Sequence, residues 1–210
     1  MISELRTPDN GEADDCAKLI YISGPHLYSY IFVEGEPKIY DLIKLLYDTP
    51  SSMIAKERTV IEEGNSRIRG LILAYPASDM KKMAIPMLRS LKGLLLINGL
   101  LNLLKMLYRL KLNRHFPGTE DDELFISNIA VFEEYRGKGI ATKLLDKAEE
   151  IAIEKGLNKL SLYVETDNLH AKRVYEKRGF KEVKKAVLPE SYNKYNLYGF
   201  YKMLKEISER

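Results

Sequence analysis

The sequence is poor in cysteine, in net charge and in apolar residues at its start. Cys16 is the only cysteine among 210 residues, so no disulfide bond can form within the chain. The 33 basic residues nearly balance the 30 acidic ones, whereas nucleic-acid-binding proteins usually carry a strongly basic face. The first six residues lack the apolar core of a signal peptide, so export is not expected. These absences predict a cytoplasmic protein that binds no nucleic acid.

A long uninterrupted apolar run is also missing. Polar residues interrupt the most leucine-rich segment, Leu91 to Leu110, and four of them recur at helical spacing: Asn98, Asn102, Lys105 and Arg109. Charges at these places are costly at the centre of a bilayer. The pattern therefore predicts an amphipathic helix with one polar stripe and no integral membrane span.

Hydrophobic periodicity predicts a single domain over residues 1–210 that contains a mixed α/β sheet. A first strand is expected over Ile2 to Arg6, followed by two helices, the first of which stops at Ser23-Gly24-Pro25. A β-hairpin joined at Glu63-Gly64-Asn65-Ser66 follows. The leucine-rich segment, about 77–118, is then a helical insertion between the third and fourth strands. The remaining elements are, in order, a strand, a helix, a strand, a helix and two strands, over 124–132, 141–156, 160–164, 169–178, 180–187 and 198–207.

A turn with two glycines follows the apolar fourth strand and opens directly into a helix. Its sequence is Arg136-Gly137-Lys138-Gly139-Ile140-Ala141. Glycines let the backbone approach a ligand closely, and the bare N–H groups at a helix N-terminus attract phosphate. The spacing matches neither the P-loop nor the dinucleotide fingerprint. Two interpretations stay open from these residues alone: a diphosphate site, or a turn that binds nothing.

A second group of residues shares one helical stripe after the fifth strand. Asn168, Ala171, Lys172 and Tyr175 recur at spacings of three, one and three residues. A small residue between an amide and a phenol leaves room for a thin ligand chain. The alternative interpretation is an asparagine that caps the helix and a tyrosine that is half-buried in the core.

Together the two groups resemble the GNAT superfamily of N-acetyltransferases. The family signature Q/R-x-x-G-x-G/A corresponds here to the turn from Arg136 to Ala141. The family pattern N-x-x-A-x-x-x-Y-x-x-x-G-F corresponds here to Asn168, Ala171, Tyr175, Gly179 and Phe180. The two motif regions cover about residues 124–183, and a looser likeness in strand order extends over most of the chain.

The resemblance implies an acyl-CoA N-acyltransferase fold whose fourth and fifth strands splay apart to admit acetyl-CoA as acyl donor. The acetyl group would then pass directly to a primary amine, without a nucleophile from the enzyme. Tyr175 would donate a proton to the leaving thiolate, which suits a phenol because its reference pKa is about 10. The implied cofactor contacts are the backbone groups of Ile129 and Val131, the turn residues Arg136, Gly137, Lys138, Gly139, Ile140 and Ala141, and the side chain of Asn168.

The general base is left open by the resemblance. Some family members place a glutamate on the fourth strand, where this chain has Phe125. Glu123 or Glu165 could act through a water, and either is also explained as a solvated carboxylate at a strand end. The three histidines show no metal-ligand spacing, so no metal is expected.

The acceptor and the role of the insertion are not encoded in any motif. The acceptor is expected to be a small-molecule or peptide amine. The insertion is a lid over the acceptor site, a homodimer surface or extra core, and its leucine stripe favours core or subunit contact. Attachment of Lys92 to Lys111 to a membrane surface ranks last. The alternative function is a non-catalytic acyl-CoA-binding sensor or partner-binding module.

Overall fold

A computed structural model describes residues 3–207, apart from the side chains of residue 3 and residues 84–87. The strands are β1 Ser3–Arg6, β2 Thr59–Gly64, β3 Ile68–Pro76, β4 Glu123–Val131, β5 Lys159–Glu165, β6 Lys181–Val187 and β7 Gly199–Glu206. The α-helices are α1 Ala13–Ile22, α2 Pro25–Phe32, α3 Lys38–Tyr47, α4 Ala84–Arg109, α5 Ile140–Glu154 and α6 Leu169–Lys177. The predicted first strand is confirmed from Ser3 onward, and Ile2 lies outside the described residues.

All seven strands belong to one sheet in the order β1-β2-β3-β4-β5-β7-β6. Neighbouring strands are antiparallel except β4 and β5, which are parallel and are joined through α5. The predicted mixed α/β sheet is therefore confirmed. The helix α4 lies between the third and fourth strands, where the helical segment was expected.

Helices cover both faces of the sheet. One face is covered by α1, with α3 and α4 packed behind it, and is called the α1 face. The other is covered by α5 and is called the α5 face. Leu71 and Ile72 of β3 are both buried, one in each layer, which explains the continuous apolar run in that strand. Cys16 is fully buried on the α1 face, and burial raises the pKa of its thiol to about 11. The cysteine is therefore a core residue and not a reactive thiol.

The residues Ser23-Gly24-Pro25 separate two helices, although the sequence pattern predicted only a helix end. The helix α1 ends at Ile22 as expected, and α2 begins at Pro25. Proline suits the first position of a helix because its missing N–H would have no partner there. The prediction of two helices before the hairpin is therefore wrong by one helix, and that helix carries residues of the candidate site.

The helix α4 packs only one of its sides against the rest of the protein. Most of its predicted polar stripe faces inward, where Asn98 Nδ2 donates to the Phe32 carbonyl at 3.1 Å and Arg109 Nη1 donates to the Tyr30 carbonyl at 2.5 Å, while Lys105 is exposed. These carbonyls lie in the last turn of α2, where helix carbonyls lack partners within their own helix. Leucines on the other side are exposed, for example Leu96 at 76%. The core interpretation is therefore wrong for that side of α4.

One stretch in the described part of the chain, Leu88–His115, is long and apolar enough to be a candidate membrane span. Gly99 interrupts the helix in this stretch with φ 73° and ψ 163°, a conformation open mainly to glycine. The hydrogen bonds of Asn98 and Arg109 to α2 make this stretch part of the folded domain.

Candidate active site

The sheet opens between its two parallel strands. The pairing of β4 with β5 is confined to Glu123–Ile126 and Lys159–Leu162. Beyond these residues β4 stays paired with β3 up to Val131, and β5 stays paired with β7 up to Glu165. The backbone groups that face each other across the opening therefore have no strand partner in the described sheet. The family resemblance predicted this splay, and the structure confirms it.

A β-bulge in β4 decides which side chains face each side of the opening. The register between β3 and β4 shifts at Ser127, which has no partner residue in β3. An extra residue reverses the alternation of the side chains beyond it. Asn128 consequently bonds with Ser23 on the α1 face, whereas Ile129 and Val131 pack on the α5 face.

The two-glycine turn leads into α5, and both glycines use their backbone freedom. Gly137 has a φ of 76° and Gly139 a φ of 77°. A Cβ at either position would meet nothing within 4 Å, so the turn faces open space. Within the described residues no side chain caps α5, and Lys143 N–H is the amide that bonds back to the Gly139 carbonyl. The N–H groups that precede Lys143 are therefore placed to bind an anion.

A basic cleft of about 680 Å³ lies beside this turn. Its cationic lining residues are Arg67 and Arg69 near the β2–β3 hairpin, and Lys138 and Lys143 at the start of α5. The buried Glu62 also lines the cleft and is bonded by the guanidinium of Arg69 at 2.5 and 2.8 Å. Four cations against one carboxylate make the surroundings of the turn positive, which favours a multiply charged anion.

Tyr175 lies on the same side of the sheet as the predicted cofactor contacts. It packs against the hydrophobic cluster of the α5 face together with Ile129, Val131 and Ala171. Its ring contacts the Phe180 ring edge-on at a centroid distance of 5.9 Å. Burial raises the pKa of Tyr175 to about 12, so the phenol holds its proton at neutral pH. The fold therefore brings the two sequence motifs together on one face.

Asn168 is the N-cap of α6, as the alternative interpretation from the sequence proposed. Its Oδ1 accepts a hydrogen bond from Ala171 N–H at 3.0 Å. The residue is exposed, so capping leaves its Nδ2 group on the surface. The predicted contact of Asn168 with a cofactor stays a prediction.

Glu123 is bound in the protein interior and does not suit the role of a base. It is fully buried, and Lys202 Nζ lies 2.6 Å from its Oε1. Ser161 Oγ donates to its Oε2 at 2.6 Å. Both carboxylate oxygens are thus occupied by buried partners, and a water has no access to them. The geometry argues against Glu123 and leaves Glu165 of the two sequence candidates.

Glu165 ends β5 on the α1 face of the opening, where α2 meets it. Its Oε2 lies 3.2 Å from Nδ1 of His26, while its Oε1 is buried without a hydrogen-bond partner in the described structure. Burial raises the pKa of Glu165, and the hydrogen bond to His26 lowers it by a smaller amount. A carboxylate with raised proton affinity, beside an imidazole, has the properties of a general base.

Sequence reasoning missed three residues on the α1 face, namely His26, Tyr28 and Asn128. Asn128 Nδ2 donates to Tyr28 OH at 2.8 Å and to Ser23 Oγ at 2.7 Å. Its Oδ1 is buried and has no hydrogen-bond partner among the described residues. They were missed because the sequence pattern predicted neither α2, which carries His26 and Tyr28, nor the bulge in β4, which turns Asn128 toward them.

Three possible metal ligands meet at the end of β5. One atom from each of His26, Glu165 and Asp167 lies within 4.8 Å of the others. Sequence spacing could not reveal this group because α2 and β5 are far apart along the chain. The same three groups suit proton transfer as well. The expectation that the protein binds no metal stays a prediction.

Known proteins share both the motifs and the fold. Residues 106–180 match the model of the Acetyltransferase (GNAT) family. The N-acetyltransferase YycN of Bacillus subtilis is 39% identical over 66 residues, which cover 31% of this chain and 42% of YycN. An N-acetyltransferase from Staphylococcus aureus Mu50 superposes with a TM-score of 0.67 at 21% identity, covering 96% of this chain and 99% of that one. The resemblance to the GNAT superfamily that the sequence motifs predicted is therefore confirmed over residues 106–180.

A related fold has been solved with its ligand. The PaiA N-acetyltransferase from Thermoplasma acidophilum, in complex with coenzyme A, has a TM-score of 0.53 at 17% identity and covers 98% of this chain and 99% of its own. At such identities the likeness concerns the fold. The chain spans less than half the length of the curated relatives that it matches.

Proposed function

We propose that this protein is an acetyl-CoA-dependent N-acetyltransferase that transfers the acetyl group directly to a primary amine. The observation that carries the proposal is the opening between β4 and β5, which ends at an anion-binding turn. An extended ligand arm can add to an exposed strand edge through backbone hydrogen bonds, and a phosphate can bind at the helix end beyond it. Coenzyme A has both parts.

The cofactor contacts proposed from the sequence fit this arrangement. The amides from Gly137 to Ala141 would bind the diphosphate, with positive charge from Arg136 and Lys138. Backbone groups of β4 near Ile129 and Val131 would bind the pantetheine arm. Arg136 Nε already bonds the Val131 carbonyl at 3.3 Å, which ties the turn to the strand edge that receives the arm.

The reaction requires two proton transfers, one on each side of the opening. On the α1 face, Glu165 with His26 accepts a proton from the amine as its nitrogen attacks the thioester carbonyl carbon. The C–N bond forms and the C–S bond breaks. On the α5 face, Tyr175 gives its proton to the leaving thiolate. Burial keeps the phenol protonated and raises the proton affinity of the carboxylate, which matches each group to its task.

The proposed acceptor is a small-molecule or peptide amine that enters from the α1 face. A cleft of about 340 Å³ lies there, with His26 on its wall together with Glu34 and Arg109. The carboxylates of Glu165 and Asp167 lie next to His26, within 4.8 Å of its ring nitrogen, and favour a cationic ammonium group there. The cytoplasmic location expected from the sequence stays a prediction.

Gly139→Val is expected to weaken coenzyme A binding about tenfold or more, because valine is strained at a φ of 77° and the turn must shift. Calorimetry with coenzyme A measures the dissociation constant. Gly156→Val is the matched control, since this residue follows the other end of α5, has a φ of 67° and also has open space around its Cβ. The control should lose similar stability and keep its affinity. Equal affinities in both variants would remove the turn from the diphosphate site.

Glu165→Gln is expected to lower turnover about 10- to 100-fold and to raise the melting temperature at pH 8 by a few degrees. The raised pKa of Glu165 means that ionising it costs stability in the folded state, and that this cost grows as pH rises from the usual carboxyl range through the raised value. The rise in melting temperature should therefore vanish near pH 4, where Glu165 is protonated in both the folded and the unfolded protein. Thermal unfolding at several pH values measures it.

The exposed Glu150→Gln is the control for this variant and should change neither turnover nor melting temperature. Undiminished turnover in Glu165→Gln across the pH range would reject the base assignment.

Release of free thiol from acetyl-CoA, measured over a panel of amines, polyamines, amino acids and peptides, tests the activity itself. Turnover with any primary amine supports the enzyme. Binding of acetyl-CoA without turnover on the whole panel would support the alternative of a non-catalytic acyl-CoA-binding module. A folded protein that gives no calorimetric heat with coenzyme A would reject both functions.

A further inference from the structure

One side of α4 exposes a band of large apolar side chains. We name it the outer leucine face and define it by its six most exposed members: Leu88, Leu96, Leu100, Leu101, Leu104 and Tyr108. Leu96 is 76% exposed and Leu101 is 67% exposed. Single exposed leucines are ordinary, but six large apolar side chains exposed along α4, on both sides of the interruption at Gly99, mark a surface that contacts something else.

The helix cannot rotate to bury this face. Its opposite side holds Asn98, Asn102 and Arg109, which bond the Phe32 carbonyl, the Glu34 carboxylate and the Tyr30 carbonyl, respectively. The same inner side contributes buried apolar residues, such as Leu94 and Met106, to the core of the α1 face. Both the polar and the apolar partners of α4 therefore fix the leucines toward the outside.

The charged residues in the chain segment that carries the outer leucine face all have one sign. Residues 80–119 contain eight Lys and Arg residues and no Asp or Glu. Four of these cations are exposed along α4 and the turn after it: Arg89, Lys92, Lys105 and Arg114. An apolar band flanked by cations complements an anionic lipid surface, where leucines enter the acyl region and cations meet the headgroups.

The geometry points to peripheral docking of α4 on an anionic membrane, with the outer leucine face toward the lipid. A second copy of the chain complements this surface less well, because a two-fold contact would bring together two surfaces that both carry exposed cations. A span across the bilayer would break the inner hydrogen bonds of Asn98 and Arg109 to α2. Docking leaves these bonds intact and uses only the exposed side.

Co-sedimentation of the full chain with vesicles tests this inference. One set of vesicles is pure phosphatidylcholine, and the other contains about one-third phosphatidylglycerol. The protein should sediment with the anionic vesicles, stay in solution with the neutral ones, and be released as salt rises to about 0.5 M. Failure to sediment with anionic vesicles, or equal sedimentation with both kinds, would overturn the inference.

Two double variants locate the contact. Leu96→Glu with Leu101→Glu should abolish sedimentation, while Lys92→Gln with Lys105→Gln should weaken it about tenfold. The matched control is Val183→Glu with Val187→Glu, which makes the same kind of change at two exposed positions of β6 and should bind as well as the wild type. Circular dichroism and the unfolding midpoint check that each variant folds. Equal loss in the control would overturn the assignment to α4.

Analytical ultracentrifugation of the same variants tests whether a second copy of the chain, and not a membrane, covers the outer leucine face. A wild-type dimer that dissociates on the leucine substitutions, in a protein that ignores vesicles, would show that a second copy covers this face and would overturn the inference. Acetyl transfer plays no part in either readout, so the docking and the proposed enzyme can fail separately.

Discussion

Tyr175→Phe is expected to lower kcat about 100-fold or more while coenzyme A affinity stays within about twofold of the wild type. The substitution removes the proton that the leaving thiolate would receive in the proposed reaction and keeps the ring that packs beside Phe180. Steady-state thiol release measures kcat, and calorimetry measures affinity. The pKa of about 12 also predicts no loss of wild-type activity from phenol ionisation below about pH 10.

The control for this prediction is Tyr40→Phe, in which a partly buried tyrosine of α3, away from the opening, loses the same hydroxyl. Its turnover should match the wild type. If Tyr175→Phe keeps full kcat, the phenol is a packing residue and another group, or water, protonates the thiolate.

Lys202→Met is expected to destabilise the protein by about 3–5 kcal/mol, the usual result of leaving one charge of a buried pair alone. Lys202 Nζ bonds Glu123 Oε1 at 2.6 Å and the Gly118 carbonyl at 2.8 Å, and both charged side chains are almost fully buried. Removing the ammonium leaves a buried carboxylate whose Oε2 still accepts the hydrogen bond from Ser161. Urea unfolding measures the loss.

The double variant Lys202→Met with Glu123→Leu should recover most of this stability, because no charge is then left without its partner. The surface pair offers the matched control: Lys147→Met removes an ammonium 2.8 Å from Glu150 and should cost under about 1 kcal/mol. A loss under about 1 kcal/mol in Lys202→Met would show that water reaches the site and would return Glu123 to the list of possible bases.

The parts of the site that the sequence predicted are the parts that lie close together along the chain. The two-glycine turn and the stripe of Asn168 and Tyr175 are each defined within a few residues, by backbone conformation and helical spacing. The sheet then brings both onto the α5 face because β4 and β5 are parallel neighbours. The local motifs, together with the parallel pairing of β4 and β5, were therefore sufficient to predict which residues meet on the α5 face.

The α1 half of the site depends on contacts that no local pattern contains. His26 and Glu165 are 139 residues apart in sequence and meet only when α2 packs over the end of β5. The pairing of Glu123 with Lys202, 79 residues later, likewise turned an expected solvent-facing carboxylate into a buried one. Periodicity shows that a helix has two sides, but only the partners of α4 decide which side is inward.

The bulge at Ser127 decides which face of the sheet each later side chain of β4 occupies. Each side chain after it is assigned to the acceptor side or the donor side by counting from this one residue. If β4 kept Ser127 but ran straight, without the bulge, Asn128 would face the α5 side and Ile129 the α1 side, whereas loss of Ser127 itself would restore a regular strand and leave both residues on their present faces. The two faces of the opening therefore owe their contrast, a buried amide on one and branched apolar side chains on the other, to a single unpaired residue in the strand.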